Sequence, residues 1–197
     1  MIQISVRTDI KAAIAKLNRL QREQVPFATA KALTMTAKDA QAALDAAMET
    51  QLDNPTPFTK RAIGIERATK QNLTARVFIK PTQLAYLQWQ VDGGTRGPKR
   101  RAIPVPQAVP LNQYGNMTRN KIKQLLARPD VFSGSVRGVG GIWRRDKRGG
   151  LKLLIAWEAK ATYKPRFKFY DVAEKTIKAK FVPNFQSALA GALATAR

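Results

Sequence analysis

The chain has 197 residues, 44% of them hydrophobic, enough for one domain with its own core and too apolar for a disordered polymer. It contains no cysteine and no histidine, which excludes disulfides, thiolate metal sites and imidazole-based acid–base or nucleophilic catalysis. Lys and Arg total 35 against 13 Asp and Glu, a net charge of +22, so the expected partners are anionic: nucleic acid, anionic surfaces or acidic protein neighbours.

The charge is unevenly placed. Residues 1–53 carry 7 basic and 6 acidic side chains, residues 54–129 carry 14 and 2, and residues 130–197 carry 14 and 5. No apolar run reaches the roughly 18 residues that span a bilayer. The opening MIQISVRTDI lacks the plan of a signal peptide, so synthesis and use in a cytosol are expected.

Ile2, Ile4 and Val6 alternate with polar residues and predict a short strand. Thr8 or Asp9 then caps a predicted helix with Ile10, Ile14, Leu17 and Leu20 on one face. Pro26 suits the first turn of a second helix running to about Leu52. Along it Ala30, Leu33, Ala37, Ala40, Leu44 and Ala47 recur at 3-4-3-4-3 spacing. That narrow, alanine-built seam predicts close packing against another helix, in this subunit or the next. Asn54-Pro55-Thr56-Pro57 breaks the chain before a short basic helical piece, FTKRAI, and Leu73–Lys80 reads as a strand. Residues 84–91 suit a short helix or a strand, and the Gly93-Gly94 stop favours the helix.

Residues 93–120 are predicted to be mostly loop, with IPVP briefly extended, followed by a modest helix near 118–128. Phe132–Gly141 is expected to be flexible. Ile142–Arg145 and Leu151–Trp157 are predicted to form a hairpin about the Asp146–Gly150 turn. The remainder from Phe169 is helical, with a kink or split expected near Val182–Pro183. The sum is an α+β fold: a small, mostly antiparallel sheet flanked by long N-terminal and C-terminal helices. A single domain over 1–197 is expected, divided into 1–53 (strand and helix pair), 54–167 (basic, β-rich middle) and 168–197 (kinked helix).

Catalytic chemistry has little to stand on. The carboxylates form no D-x-D or D-x-x-E cluster suited to magnesium. Asp45 and Glu49 share a helical face, which a solvated surface accounts for. The glycine-rich GVGG at 138–141 and GGTRGPKR at 93–100 lack the spacing of a phosphate-binding loop. No cofactor, metal or enzymatic activity is expected.

Two stretches set positive charge beside glycine. One holds Arg96, Lys99, Arg100 and Arg101; the other runs through Arg137, Arg144, Arg145, Lys147 and Arg148. Such side chains suit salt-sensitive, sequence-independent contact with DNA phosphates, and they suit acidic neighbouring subunits equally well. Of Trp89, Trp143 and Trp157, the last ends an apolar strand and is assigned to the core. No helix-turn-helix or aromatic RNA-binding pattern appears.

Four features together resemble the minor tail protein Z and tail-completion families of long-tailed phages. They are the helix pair through Val25-Pro26 with FATAKALTMTAKDAQAAL, and the basic piece leading to a strand, TPFTKRAI…LTARVFIK. The others are YLQWQVDGGTRGPKRRAIPVP and the ending YKPRFKFYDVAEKTIKAKFVPNFQSALAGALATAR. The resemblance implies a structural virion protein of the tail or neck, assembled in the host cytoplasm and without membrane contact. It also implies a homo-oligomeric ring, most plausibly of six subunits, at the head-proximal end of the tail, helping head–tail joining. Implied partners are other tail, tail-terminator and connector proteins and the leading end of the genomic DNA. A sequence-independent DNA-binding or DNA-packaging accessory protein is the alternative.

Overall fold

The computed structural model describes residues 1–8, 19–99 and 101–195, with residues 19–23 given by their backbone alone. The predicted helix of Ile10, Ile14 and Leu17 lies outside the described residues. The fold class is α+β, with long N- and C-terminal helices and small antiparallel sheets. The chain forms two compact units, Met1–Val91 with Arg166–Arg197, and Asp92–Pro165.

In the first unit, β1 (Gln3–Arg7), β3 (Thr74–Ile79) and β2 (Ile63–Glu66) form an antiparallel sheet in the order β1-β3-β2. Val6 faces Ala75 and Ile63 faces Ile79, so alternate residues of the central strand, Ala75, Val77 and Ile79, turn one buried face to the helices. Helix α1 (Arg19–Gln51) lays Leu33, Ala37, Ala40, Leu44 and Met48 on that face. Its 33 residues make it about 50 Å long.

After α1, Thr56 accepts a hydrogen bond from the Thr59 N–H at 3.1 Å and caps the four-residue α2 (Pro57–Lys60). Helix α3 (Pro81–Val91) adds Leu87 and Val91 to the same core. The last helix, α5 (Phe169–Ala194), follows α4 (Lys121–Leu126) of the other unit in chain order and contributes Phe169 and Ala173, joined by Phe167. Phe167 and Phe169 are buried edge-to-face, centroids 6.1 Å apart, each contributing about 1.5–3 kcal/mol by burial.

Helices α1 and α5 run antiparallel. Gln51 receives the Lys168 N–H at one end, Asn184 meets Asp39 midway, and Ala188 and Ala192 meet Ala28 and Ala32 at the other.

In the second unit, β5 (Ile103–Pro106), β8 (Leu151–Glu158), β7 (Val139–Arg145) and β6 (Val131–Val136) form an antiparallel sheet in the order β5-β8-β7-β6. Val131, Ile142, Leu154 and Ile155 bury one face with Leu125 of α4 (Lys121–Leu126). Strands β4 (Gly94–Arg96) and β9 (Ala161–Tyr163) pair separately.

Three expectations need correction. Helix α1 does not begin at Pro26 but passes through it. A proline there removes one backbone bond, and the buried apolar stripe beyond it offsets a cost of about 3 kcal/mol. Helix α5 is likewise unbroken at Pro183, so of the expected kink or split it is the split alone that is absent. Phe132–Gly141 is no flexible loop: β6 and β7 pair across a two-residue turn, with Arg137 at φ 51° and Gly138 at φ 80°. Both values are those a tight hairpin requires. Strands β2, β4 and β9 lie outside the strands that the sequence pattern predicts.

Candidate functional site

The two sets of residues singled out by sequence fall in different units. Of the alanine seam, Ala30, Leu33, Ala37, Ala40 and Leu44 are buried and Ala47 is half-buried against the core. Leu33, Ala37, Ala40 and Leu44 pack within their own unit, on the three-stranded sheet and the start of α5.

A second alanine contact escapes a reading of the sequence. Ala28 and Ala32 of α1 meet Ala188 and Ala192 of α5, flanked by Phe185 and Leu189. Four methyl-sized side chains let the two backbones approach closely, and the i, i+4 spacing within each helix is the available signal. Beside it, Asn184 donates to Thr36 Oγ1 at 3.1 Å and to Asp39 Oδ2 at 2.7 Å.

The candidate cations all lie in the second unit, which holds 16 Lys and Arg against 4 carboxylates. One of those carboxylates, Asp130, is taken by Arg128 at 2.7 Å; the hydrogen bond and charge of that guanidinium hold its pKa below the usual range. Arg96 lies on β4, 5.8 Å from the Tyr163 ring centroid, while Lys99 and Arg101 are exposed on the way to β5. Arg100 lies outside the described residues.

Arg137 is exposed at the β6–β7 turn, Arg144 and Arg145 end β7, and Lys147 and Arg148 project from the turn after it. Among the described residues none of these eight cations closes a salt bridge. At about 3.3 Å per residue, β7 sets Arg137 and Arg145 at opposite ends of the strand, roughly 20 Å or more apart. The second stretch is thus spread along the length of β7 and the turns at its two ends.

What the sequence does not reveal is the apolar ground between these charges. Side chains alternate along a strand, so Phe132, Val136, Val139 and Trp143 share the face opposite the buried Val131 and Ile142. Leu151 and Leu153 join them through their pairing with Arg145 and Trp143. Arg145 lies 4.4 Å from the Phe132 ring centroid, within cation–π range. A hollow of about 410 Å³ is lined by Val136, Arg137, Val139, Trp143 and the Gly149–Leu151 turn. The indole Nε1 of Trp143 is buried and has no hydrogen-bond partner.

Gly141 makes the close approach of β7 to β8 possible. A Cβ there would collide with the Ile155 carbonyl oxygen and stand 2.6 Å from Leu153 Cδ1. Trp157 packs against the second core, as its place at the end of an apolar strand suggests.

Among the described residues no three carboxylates converge as metal ligands, and no helix is long and apolar enough to cross a membrane. No curated protein and no solved structure matches the chain. The family model of prophage minor tail protein Z matches residues 9–124, from before α1 into α4 and ending ahead of the β6–β8 hairpins. The chain therefore belongs to the prophage minor tail protein Z family, and is a structural protein of a phage tail.

Proposed function

We propose that this tail protein is a non-catalytic subunit of a homo-oligomeric ring, six subunits being the natural number, at the head-proximal end of the tail. There it helps join the tail to the head, touching tail-terminator and connector proteins and the leading end of the DNA. The observation that carries this reading is a division of labour. The first unit packs its alanine seam internally, and the candidate cations all lie in the second unit, where the eight described ones close no salt bridge. Unpaired cations on a small sheet suit contact with something anionic outside the chain, and they require no catalytic group.

The test pairs two measurements on a variant with Arg96, Lys99, Arg100, Arg101, Arg137, Arg144, Arg145, Lys147 and Arg148 neutralised. The variant is expected to fold normally and to leave tail tubes without heads. If the wild type binds DNA through phosphates, the log–log salt slope of the variant is shallower by about one unit for each phosphate it no longer neutralises. Normal infectivity of the variant contradicts the proposal. Wild-type protein missing from purified particles, with steep salt-dependent DNA binding, supports the DNA-packaging alternative instead.

A further inference from the structure

We propose that the hollow on the outer face of β6–β8 is a docking site for an acidic segment of a neighbouring protein. That segment seats an apolar side chain against Val139, Trp143 and Leu151, and sets carboxylates on Arg137 and on the Lys147–Arg148 turn. The proposal rests on the tail-subunit reading only in taking the neighbour to be another tail component.

Three observations select this occupant. Val139 and Leu151 leave 44% and 46% of their surface exposed beside the hollow, so two aliphatic side chains stand in water where a soluble sheet normally places polar ones. Trp143 lines the hollow between them and offers its ring, whose indole nitrogen is buried, as an aromatic wall for an apolar side chain. From Val131 to Glu158 there are 6 basic residues against 2 acidic ones, which selects an acidic partner by charge and opposes pairing with a second copy of this face. Duplex DNA would satisfy the cations and leave the aliphatics unmatched. An aromatic anchor within an apolar patch and a charged rim is the composition of a protein interface.

The experiment uses the full chain with ¹⁵N-labelled tryptophan, the Trp143 indole signal being assigned by its loss in Trp143→Phe. The probes are a heptapeptide alternating glutamate with leucine and phenylalanine, a glutamate heptamer, and a short mixed-sequence DNA duplex. The apolar peptide is expected to move the Trp143 signal saturably, leave those of Trp89 and Trp157 in place, and bind roughly tenfold or more tighter than the glutamate heptamer. In Val139→Glu/Leu151→Glu that preference should vanish while the Trp89 and Trp157 signals stay unchanged, which keeps misfolding apart from a failure to dock. Equal binding of the two peptides, movement of Trp143 by the duplex, or no movement with any probe overturns the proposal. Wild-type protein present in tails alongside fully infectious Val139→Glu/Leu151→Glu particles would overturn the docking site and leave the tail reading standing. Absence of the wild type from tails would do the reverse.

Discussion

Asn184 donates a 2.7 Å hydrogen bond to Asp39, tying the middle of one long helix to the middle of the other. The same amide nitrogen reaches Thr36 Oγ1, and Thr36 is fully buried, so the contact lies in the interior of the helix pair. Replacing Asn184 with Ala removes a hydrogen bond to a charged acceptor and strands a buried hydroxyl. The expected loss is about 1–3 kcal/mol in denaturant unfolding. A double-mutant cycle with Asp39→Ala should return a coupling energy of about 0.5 kcal/mol or more; strict additivity would show that the bond contributes nothing.

The alanine contact next to it should tolerate no added volume. Ala32→Leu and Ala188→Leu introduce methylenes between backbones held close by methyl groups, with an expected cost of about 1–3 kcal/mol. Ala37→Leu and Ala40→Leu should behave alike, since both sites have no exposure. Ala42→Leu, on the exposed side of α1, is the control and should stay within about 0.5 kcal/mol of wild type. Thermal unfolding of the set separates a tight seam from a merely buried one.

How far the sequence can be read follows from what each element depends on. The stripe from Ala30 to Ala47 is legible because its period is local to one helix. The second helix contact is not, because the meeting of Ala28 with Ala188 is set by tertiary packing across 160 residues. Pro26 and Pro183 suggest boundaries because a proline costs a helix one bond, and neighbouring contacts outweigh that cost. The β6–β7 hairpin is hidden for a different reason. Gly134, Gly138, Gly140 and Gly141 blank out the alternation that marks a strand, and the turn places Arg137 where asparagine or glycine is the usual signal. The cations are legible as charge. The apolar hollow they surround is not, since Val136, Val139, Trp143 and Leu151 come together only through register.

Gly134 and Gly141 face each other in register across β6 and β7, yet they should respond oppositely to a methyl group. In Gly141→Ala the new Cβ meets the β8 backbone, so one strand must move, and a loss of about 1–3 kcal/mol is expected. In Gly134→Ala it reaches only the Phe132 ring at 3.6 Å, ordinary contact, and stability should hold or rise slightly. Chemical denaturation of both variants checks the difference.

Acid and neutral pH should separate two carboxylates of the first unit. Burial raises the Asp45 pKa, with Lys80 opposing and Glu49 adding to the effect, so the folded state favours the protonated form. Its contribution to stability is therefore present at low pH and lost as pH rises through the raised value. Asp45→Asn should be more stable than wild type at pH 7, with the advantage fading in acid. Asp53 is opposite in sign. The Arg166 hydrogen bond at 2.8 Å, then its charge, lower the pKa, so stability is present at neutral pH and lost as pH falls through the lowered value. Asp53→Asn should be slightly less stable at pH 7 and equal to wild type in acid, as melting curves at both pH values would show.

The central claim, a structural subunit at one fixed place in the tail, is tested most directly by imaging intact particles that carry a labelled copy of this protein. The account predicts label confined to the head-proximal end of every tail, at one small and constant copy number. Label spread along the tube, placed at the distal tip, or absent from purified particles would contradict it.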